Sequence, residues 1–137
     1  MKKYENFKAN LRVLEKAGEE DLANEFIQSG IIDKFFIQFE LGWKVLKELL
    51  EYEGVRVDHL GSPRSVIKAA YEVWDFLDEE VWLEMLASRN NVAHICDEHA
   101  AKELVQNILG TYTKAFQEME TYIDEHYQTA LEKNLLY

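Results

Sequence analysis

The segment Arg89–His94, with the sequence RNNVAH, holds the residue types best suited to chemistry. A helix drawn through it places Arg89 on the same side as Met85 and Val92, which should face the core. A guanidinium stays charged and is rarely buried without a partner. Arg89 therefore predicts either a carboxylate facing it or a cleft for an anionic ligand. A fixed cation beside His94, which exchanges a proton near neutral pH, suits phosphate chemistry.

Arg89 and His94 converge only under certain conditions. Five positions along an unbroken helix separate two side chains by about 140°. They can meet if the helix breaks at Asn90-Asn91, since asparagine favours caps and turns, or if a second copy completes the site. Arg89 would then hold a phosphate and His94 would act as general acid or base. Spacing alone favours the structural alternative, an arginine in an ion pair and a histidine in a loop.

A metal site is the second chemical interpretation of this region. His94, Cys96 and His99 place three potential ligands within six residues. Structural zinc normally draws on two separated ligand pairs, and the chain has one cysteine. A di-iron bundle needs Glu-x-x-His on two helices, and no histidine here has an acid three residues before it. The sequence therefore predicts neither a metal nor another cofactor.

The charge of the chain is uneven. Its 26 acidic and 15 basic side chains give a net charge of −11, which opposes unaided binding to nucleic acid. The segment from Gly54 to Tyr71, however, is locally basic: it contains Arg56, Arg64 and Lys68 but a single acid, Asp58. Arg64 and Lys68 are candidate outer contacts for a phosphate. The alternative is a solvated surface patch without function.

Composition indicates one globular domain spanning residues 1–137. The chain is 47% hydrophobic with one proline, which favours long elements around a core. No apolar run approaches the roughly 20 residues that span a bilayer, and the first residues do not resemble a signal peptide. A single cysteine excludes an internal disulfide and fits a reducing compartment, so we expect a cytoplasmic protein.

Helical periodicity predicts an all-α fold, an antiparallel up-and-down bundle of four main helices plus a short one. The apolar residues of the longest helix cover about half its circumference, which requires several neighbours and favours a homodimer. Val55–Gly61 is a predicted loop. The predicted helical segments are Tyr4–Ala17, a short Glu19–Gln28 broken by Ser29-Gly30, Ile31–Glu53, one capped by Ser62 with Pro63 first, one from the cap Asp78 to Arg89 or Asn90, and one from the cap Asp97 to about Glu132.

These features resemble the HEPN superfamily and, within it, the nucleotidyltransferase substrate-binding protein family. The superfamily motif is an arginine followed by a polar residue, with a histidine after four to six residues; Arg89, Asn90 and His94 match it. The narrower likeness covers roughly Tyr4 to Ile123. It rests on FELGWKVLK at 39–47, SPR at 62–64, and WLEML at 82–86 leading into SRN at 88–90.

The resemblance implies a helical homodimer encoded beside a separate minimal nucleotidyltransferase that binds it. Such pairs can act as toxin and antitoxin, in which the bundle is a metal-independent endoribonuclease and the transferase silences it by attaching AMP. By this likeness Arg89 stabilises the scissile phosphate, Asn90 orients the site and His94 handles the proton. Two copies would build one cleft, which binds nucleotide or RNA.

One position departs from the family pattern. Silenced members carry the AMP-accepting tyrosine two residues after the histidine, where this chain has Cys96. A thiol is no simple substitute for a phenol, whereas nuclease chemistry at Arg89 and His94 does not need that tyrosine. Two alternatives stay open beside the nuclease: a transferase-binding module without chemistry, and a structural bundle in which Arg89 pairs with an internal carboxylate.

Overall fold

The computed structural model describes residues 1–56, 60–91 and 97–132, and over these ranges it contains helices and turns without strands. The predicted all-α fold is confirmed. The helices are α1 (Lys2–Lys16), α2 (Glu25–Tyr52), α3 (Pro63–Val73), α4 (Glu79–Asn90), α5 (Glu98–Asn107), α6 (Thr113–His126) and the short α7 (Gln128–Glu132). A 3₁₀ turn, Ala17–Glu19, follows α1, and a π-helical turn, Ile108–Tyr112, joins α5 to α6.

Three predicted helix starts are confirmed by their caps. The Ser62 hydroxyl accepts a hydrogen bond from the Ser65 backbone N–H at 3.2 Å, and the Ser65 hydroxyl accepts one from the Ser62 N–H at 3.1 Å. With Pro63 in the first turn, this capping box fixes the start of α3. Asp78 and Asp97 each accept a backbone N–H from the first turns of α4 and α5.

The predicted break at Ser29-Gly30 is wrong, and so is the separate short helix Glu19–Gln28. Helix α2 starts after Asn24, whose side chain accepts two backbone N–H groups, and continues through Gly30 to Tyr52. A glycine inside a helix costs only about 1 kcal/mol relative to alanine. Burial of the apolar residues that follow Gly30 in α2 offsets that cost.

The last predicted helix is also interrupted, although its N-terminal cap is correct. At the π-helical turn the Thr113 hydroxyl donates to the Ile108 carbonyl at 2.7 Å, within a widened helical turn. Helix α6 then ends at His126, and α7 follows after Tyr127. The interruption matters for the site because Tyr112 lies in the widened turn.

Helix α1 runs antiparallel to α2 and to α6. Near its start Lys3 pairs with Glu48 of α2, and further along Asn10 donates to the Gln38 side chain at 2.7 Å. The Gln38 amide, which is buried, donates in turn to a backbone carbonyl of α1 at 3.0 Å. On the other side Tyr4 donates to Asp124 of α6 at 2.7 Å. Polar contacts therefore fix the register of three helices around the core.

Helix α2 is in close contact with α4 at Gly42. A Cβ atom at this position would lie 3.2 Å from a ring carbon of Trp82 and 3.4 Å from one of Phe7. The missing side chain lets the buried Trp82 lie against the α2 backbone. In the part of the chain that the structure describes, no helix is both long and apolar enough to cross a membrane.

Candidate functional site

Arg89 lies in the last turn of α4, at the edge of the buried face. Met85 and Leu86, one turn earlier, are buried, whereas 34% of the Arg89 side chain is exposed. Its Nη2 atom lies 2.6 Å from Oε1 of Glu40 on α2. The expected carboxylate therefore exists, and about a third of the Arg89 side chain stays exposed beside it.

The second carboxylate oxygen of Glu40, Oε2, has its own partners on α2. Its Oε2 accepts a hydrogen bond from the Trp43 indole N–H at 3.2 Å and lies 3.8 Å from Lys44 Nζ. Its Oε1 is buried and accepts no directed hydrogen bond, although Arg89 Nη2 is close. The shortest contact of this ion pair is thus Nη2–Oε1, and it lacks the aligned hydrogen bonds of the two-pronged pair that arginine and carboxylate often form.

Asn90 gives the site a second polar group. Its side chain is exposed, and its Oδ1 atom lies 3.5 Å from Arg89 Nη1, at the outer limit of a hydrogen bond. Helix α4 ends here, with Asn91 as its C-cap. The predicted end of this helix at Arg89 or Asn90 is confirmed.

The π-helical turn contacts the last turn of α4 through Tyr112. The Tyr112 hydroxyl forms a hydrogen bond with Ser88, the neighbour of Arg89, and the Tyr112 ring stacks on Phe35 at a centroid distance of 5.3 Å. Burial raises the pKa of Tyr112; the Ser88 hydrogen bond opposes that rise and the negative charge of Glu84 adds to it. The tyrosine therefore stays a neutral hydroxyl next to the Ser88 side chain, one residue from Arg89.

His94 and Cys96 lie outside the described residues, as do Val92 and His59. The convergence of His94 with Arg89 consequently stays a prediction. Among the described residues, no group of three or more histidine, cysteine and acidic side chains is arranged to hold a metal ion. His99, on the first turn of α5, is exposed, and its Nε2 lies 3.5 Å from Glu103 Oε1.

Arg64 and Lys68 lie on one exposed face of α3, four residues apart. Neither forms an ion pair with an acid in residues 1–56, 60–91 or 97–132, so both charges face solvent. No hydrogen bond described within those ranges joins them to Arg89, although α3 packs against α4. Their role as outer phosphate contacts stays a prediction.

Glu40 is the site residue that the sequence did not single out. It belongs to the segment 39–47 that carried the family resemblance, together with Trp43 and Lys44. A usable signal was present, because Glu40 is an acid beside the apolar stripe of the longest helix, next to the buried Phe39. Glu40 can be identified as the partner of Arg89, in preference to the other acids of α2, only when the packing of α4 on α2 is known. The spacing of residues in the sequence does not give that packing.

The chain matches a known protein family over most of its length. The family model described as nucleotidyltransferase substrate binding protein like matches residues 2–125, which include both Glu40 and Arg89. No curated protein matches the chain.

Proposed function

The chain belongs to the nucleotidyltransferase substrate-binding-protein-like family, and from that membership we propose that it is the companion subunit of a separate minimal nucleotidyltransferase. The match over residues 2–125 carries this proposal, because it spans α1 through nearly all of α6. In the proposed pair this chain supplies substrate binding, and its partner supplies nucleotide transfer.

Within that role, Arg89, Asn90 and His94 bind the phosphate of a nucleotide or an RNA. Three observations support this assignment for Arg89: its partial exposure, its contact with Glu40 Oε1 without a directed hydrogen bond, and the polar Asn90 beside it. A guanidinium carries five N–H donors, so donors remain for an anion. Arg64 and Lys68 are proposed as outer contacts, and a homodimer is proposed to complete the cleft.

RNA cleavage is the further step of this proposal. Arg89 would stabilise charge on the scissile phosphate, and His94 would move a proton without a metal, as in a toxin–antitoxin pair. The alternative is a binding module without chemistry. The Arg89–Glu40 ion pair favours that alternative, because it neutralises part of the charge that a phosphate would meet, and so does the net charge of −11.

Co-expression tests the partner. A tagged copy of this chain, produced together with a minimal nucleotidyltransferase from the same genome, should purify as a stable complex. The complex should survive His94→Ala, because docking does not need the imidazole. Two well-folded proteins that never co-purify would contradict the companion role.

Expression of the chain alone tests the chemistry. A nuclease should arrest bacterial growth and cleave RNA, and both effects should disappear in Arg89→Ala and in His94→Ala. Arrest that persists in both variants would remove these residues from the mechanism. A complex with the transferase and no RNA cleavage at any protein concentration would identify the non-catalytic binding module.

A further inference from the structure

Glu40 contacts the Arg89 guanidinium closely but without a well-aligned hydrogen bond. Its Oε1 lies 2.6 Å from Arg89 Nη2, the distance of a charge-assisted contact, yet it accepts no directed hydrogen bond. An ion pair that only holds two helices together gains most from a bidentate geometry. No directed hydrogen bond joins these two groups, and both side chains are partly exposed, 34% and 31%, which leaves part of Arg89 open to an anion from solvent.

The Glu40 carboxylate also has polar partners other than Arg89. On the opposite oxygen, the Trp43 indole N–H donates at 3.2 Å and Lys44 Nζ lies at 3.8 Å. Both partners are on α2 within one turn of Glu40, so they stay in place when Arg89 turns away. Glu40 therefore keeps a hydrogen bond and a nearby cation in either arrangement.

We propose that Glu40 is an internal competitor for Arg89, which a bound phosphate displaces from the guanidinium. This inference rests on the proposed phosphate binding at Arg89 and adds a regulatory element to it. In the unliganded chain Arg89 faces Glu40; in the liganded chain it faces the phosphate, and Lys44 balances Glu40. The competition weakens the binding of every anion by the same factor, because the Arg89–Glu40 contact must be broken whichever anion binds.

The proposed competition and a purely structural role predict opposite changes in anion affinity when Glu40 is substituted. Removing the negative charge at Glu40 should strengthen anion binding, whereas damage to a structural bridge should weaken it. Exposed ion pairs contribute modestly, so the expected gain is roughly fivefold in affinity. Removing Lys44 should have the opposite effect, because Glu40 then depends more on Arg89.

Calorimetric titration with AMP tests the proposal on the full-length chain. The variants are Glu40→Gln, Lys44→Gln and Arg89→Ala, with Glu84→Gln as the matched control. Glu84 is an exposed acid on the same helix as Arg89, and its substitution changes the net charge equally. Thermal unfolding of each variant confirms that it folds. We expect tighter binding in Glu40→Gln, weaker binding in Lys44→Gln, no change in Glu84→Gln and loss in Arg89→Ala.

The possible outcomes separate this proposal from the proposed function. AMP binding that depends on Arg89 but is equal or weaker in Glu40→Gln would overturn the competition and leave phosphate binding intact. Binding detectable only in Glu40→Gln, and lost in the double variant with Arg89→Ala, would support the competition. An absence of binding in both the parent chain and Glu40→Gln would overturn both proposals.

A spectroscopic readout gives an independent check. Trp43 donates to Glu40 and is partly exposed, whereas Trp74 and Trp82 are buried. Trp43 keeps its hydrogen bond to Glu40 in both arrangements, but the charge of Arg89 moves away from that carboxylate as AMP binds. The fluorescence of Trp43 should therefore change, and the change should vanish in Trp43→Phe. AMP binding measured by calorimetry without any fluorescence change would contradict the displacement.

Discussion

Arg89 Nη2 and Glu40 Oε1 lie 2.6 Å apart and connect the end of α4 to the middle of α2. The connection joins a residue of the predicted phosphate motif to a residue of the segment 39–47, and both lie within the residues 2–125 that match the family. Both side chains are about one-third exposed, so the pair lies at the rim of the core rather than within it. The contribution of this pair to stability and its effect on anion binding can therefore be measured separately.

The stability of the bundle should depend little on Arg89. An ion pair exposed to this degree contributes about 0–1 kcal/mol. Arg89→Ala should therefore lower the free energy of unfolding by less than about 1 kcal/mol, measured by urea denaturation. A loss several times larger would show that the pair is a structural bridge and would favour the purely structural interpretation of Arg89.

Gly42 should tolerate no side chain without cost. A methyl group there would meet a Trp82 ring carbon at 3.2 Å, and the buried ring has little room to move. We expect Gly42→Ala to destabilise the fold by about 1–3 kcal/mol, as overpacking does.

Gly30→Ala is the matched control for that substitution, because Gly30 lies in the same helix with nothing within 4 Å of the added atom. It should stabilise the fold by about 0.5–1 kcal/mol through helix propensity. Urea unfolding of both variants gives the comparison. Equal effects of the two substitutions would contradict the close approach of α4 to α2.

Stability should fall at high pH because of Tyr127. Burial, chiefly, raises the pKa of Tyr127 to about 12, from an ordinary value of 10.0, while the hydrogen bond from the Trp74 indole opposes the rise. The folded state therefore favours the neutral phenol. This contribution is fully present below pH 10 and is lost as the pH rises towards 12.

Urea unfolding between pH 8 and pH 11 measures this effect. Tyr127→Phe should reduce the slope of stability against pH in the upper part of that range, since phenylalanine does not titrate. Tyr71→Phe, which changes an exposed tyrosine, should leave the slope unchanged. An unchanged slope in Tyr127→Phe would exclude Tyr127 as a source of the pH dependence.

The proposed homodimer should appear as twice the mass of one chain. Apolar side chains remain exposed on the first two helices, among them Val13, Phe26 and Ile37, with 49%, 88% and 47% of their surfaces accessible. Light scattering at micromolar concentration should give a species of twice 16.1 kDa. A species of 16.1 kDa alone would contradict the dimer.

Local signals in the sequence were sufficient for most of the helical framework. Ser62, Asp78 and Asp97 are caps whose side chains act within three residues, so their effect is visible in the sequence. Gly30 was misinterpreted because propensity is a weak local term and the buried residues after it dominate. The π-helical turn ending at Tyr112 also lacked a sequence signal, since it depends on packing against other helices.

The candidate site was only half visible for a similar reason. Arg89 could be identified from the sequence because a charged residue on the apolar side of a helix needs a partner. That inference uses the periodicity of a single helix. Glu40 could not be chosen as the partner, because the choice depends on how two helices distant in sequence cross at Gly42. His94 lies outside the described residues, so its part in the site stays a prediction.

The central claim is that Arg89 is an anion-binding residue that solvent and ligand can reach. Calorimetric titration of AMP into the parent chain and into Arg89→Ala tests it most directly, with Arg12→Ala as a control for the loss of one positive charge in an ion pair elsewhere. We predict saturable binding to the parent chain and to Arg12→Ala, and no binding to Arg89→Ala. Equal affinity in all three proteins would contradict the claim.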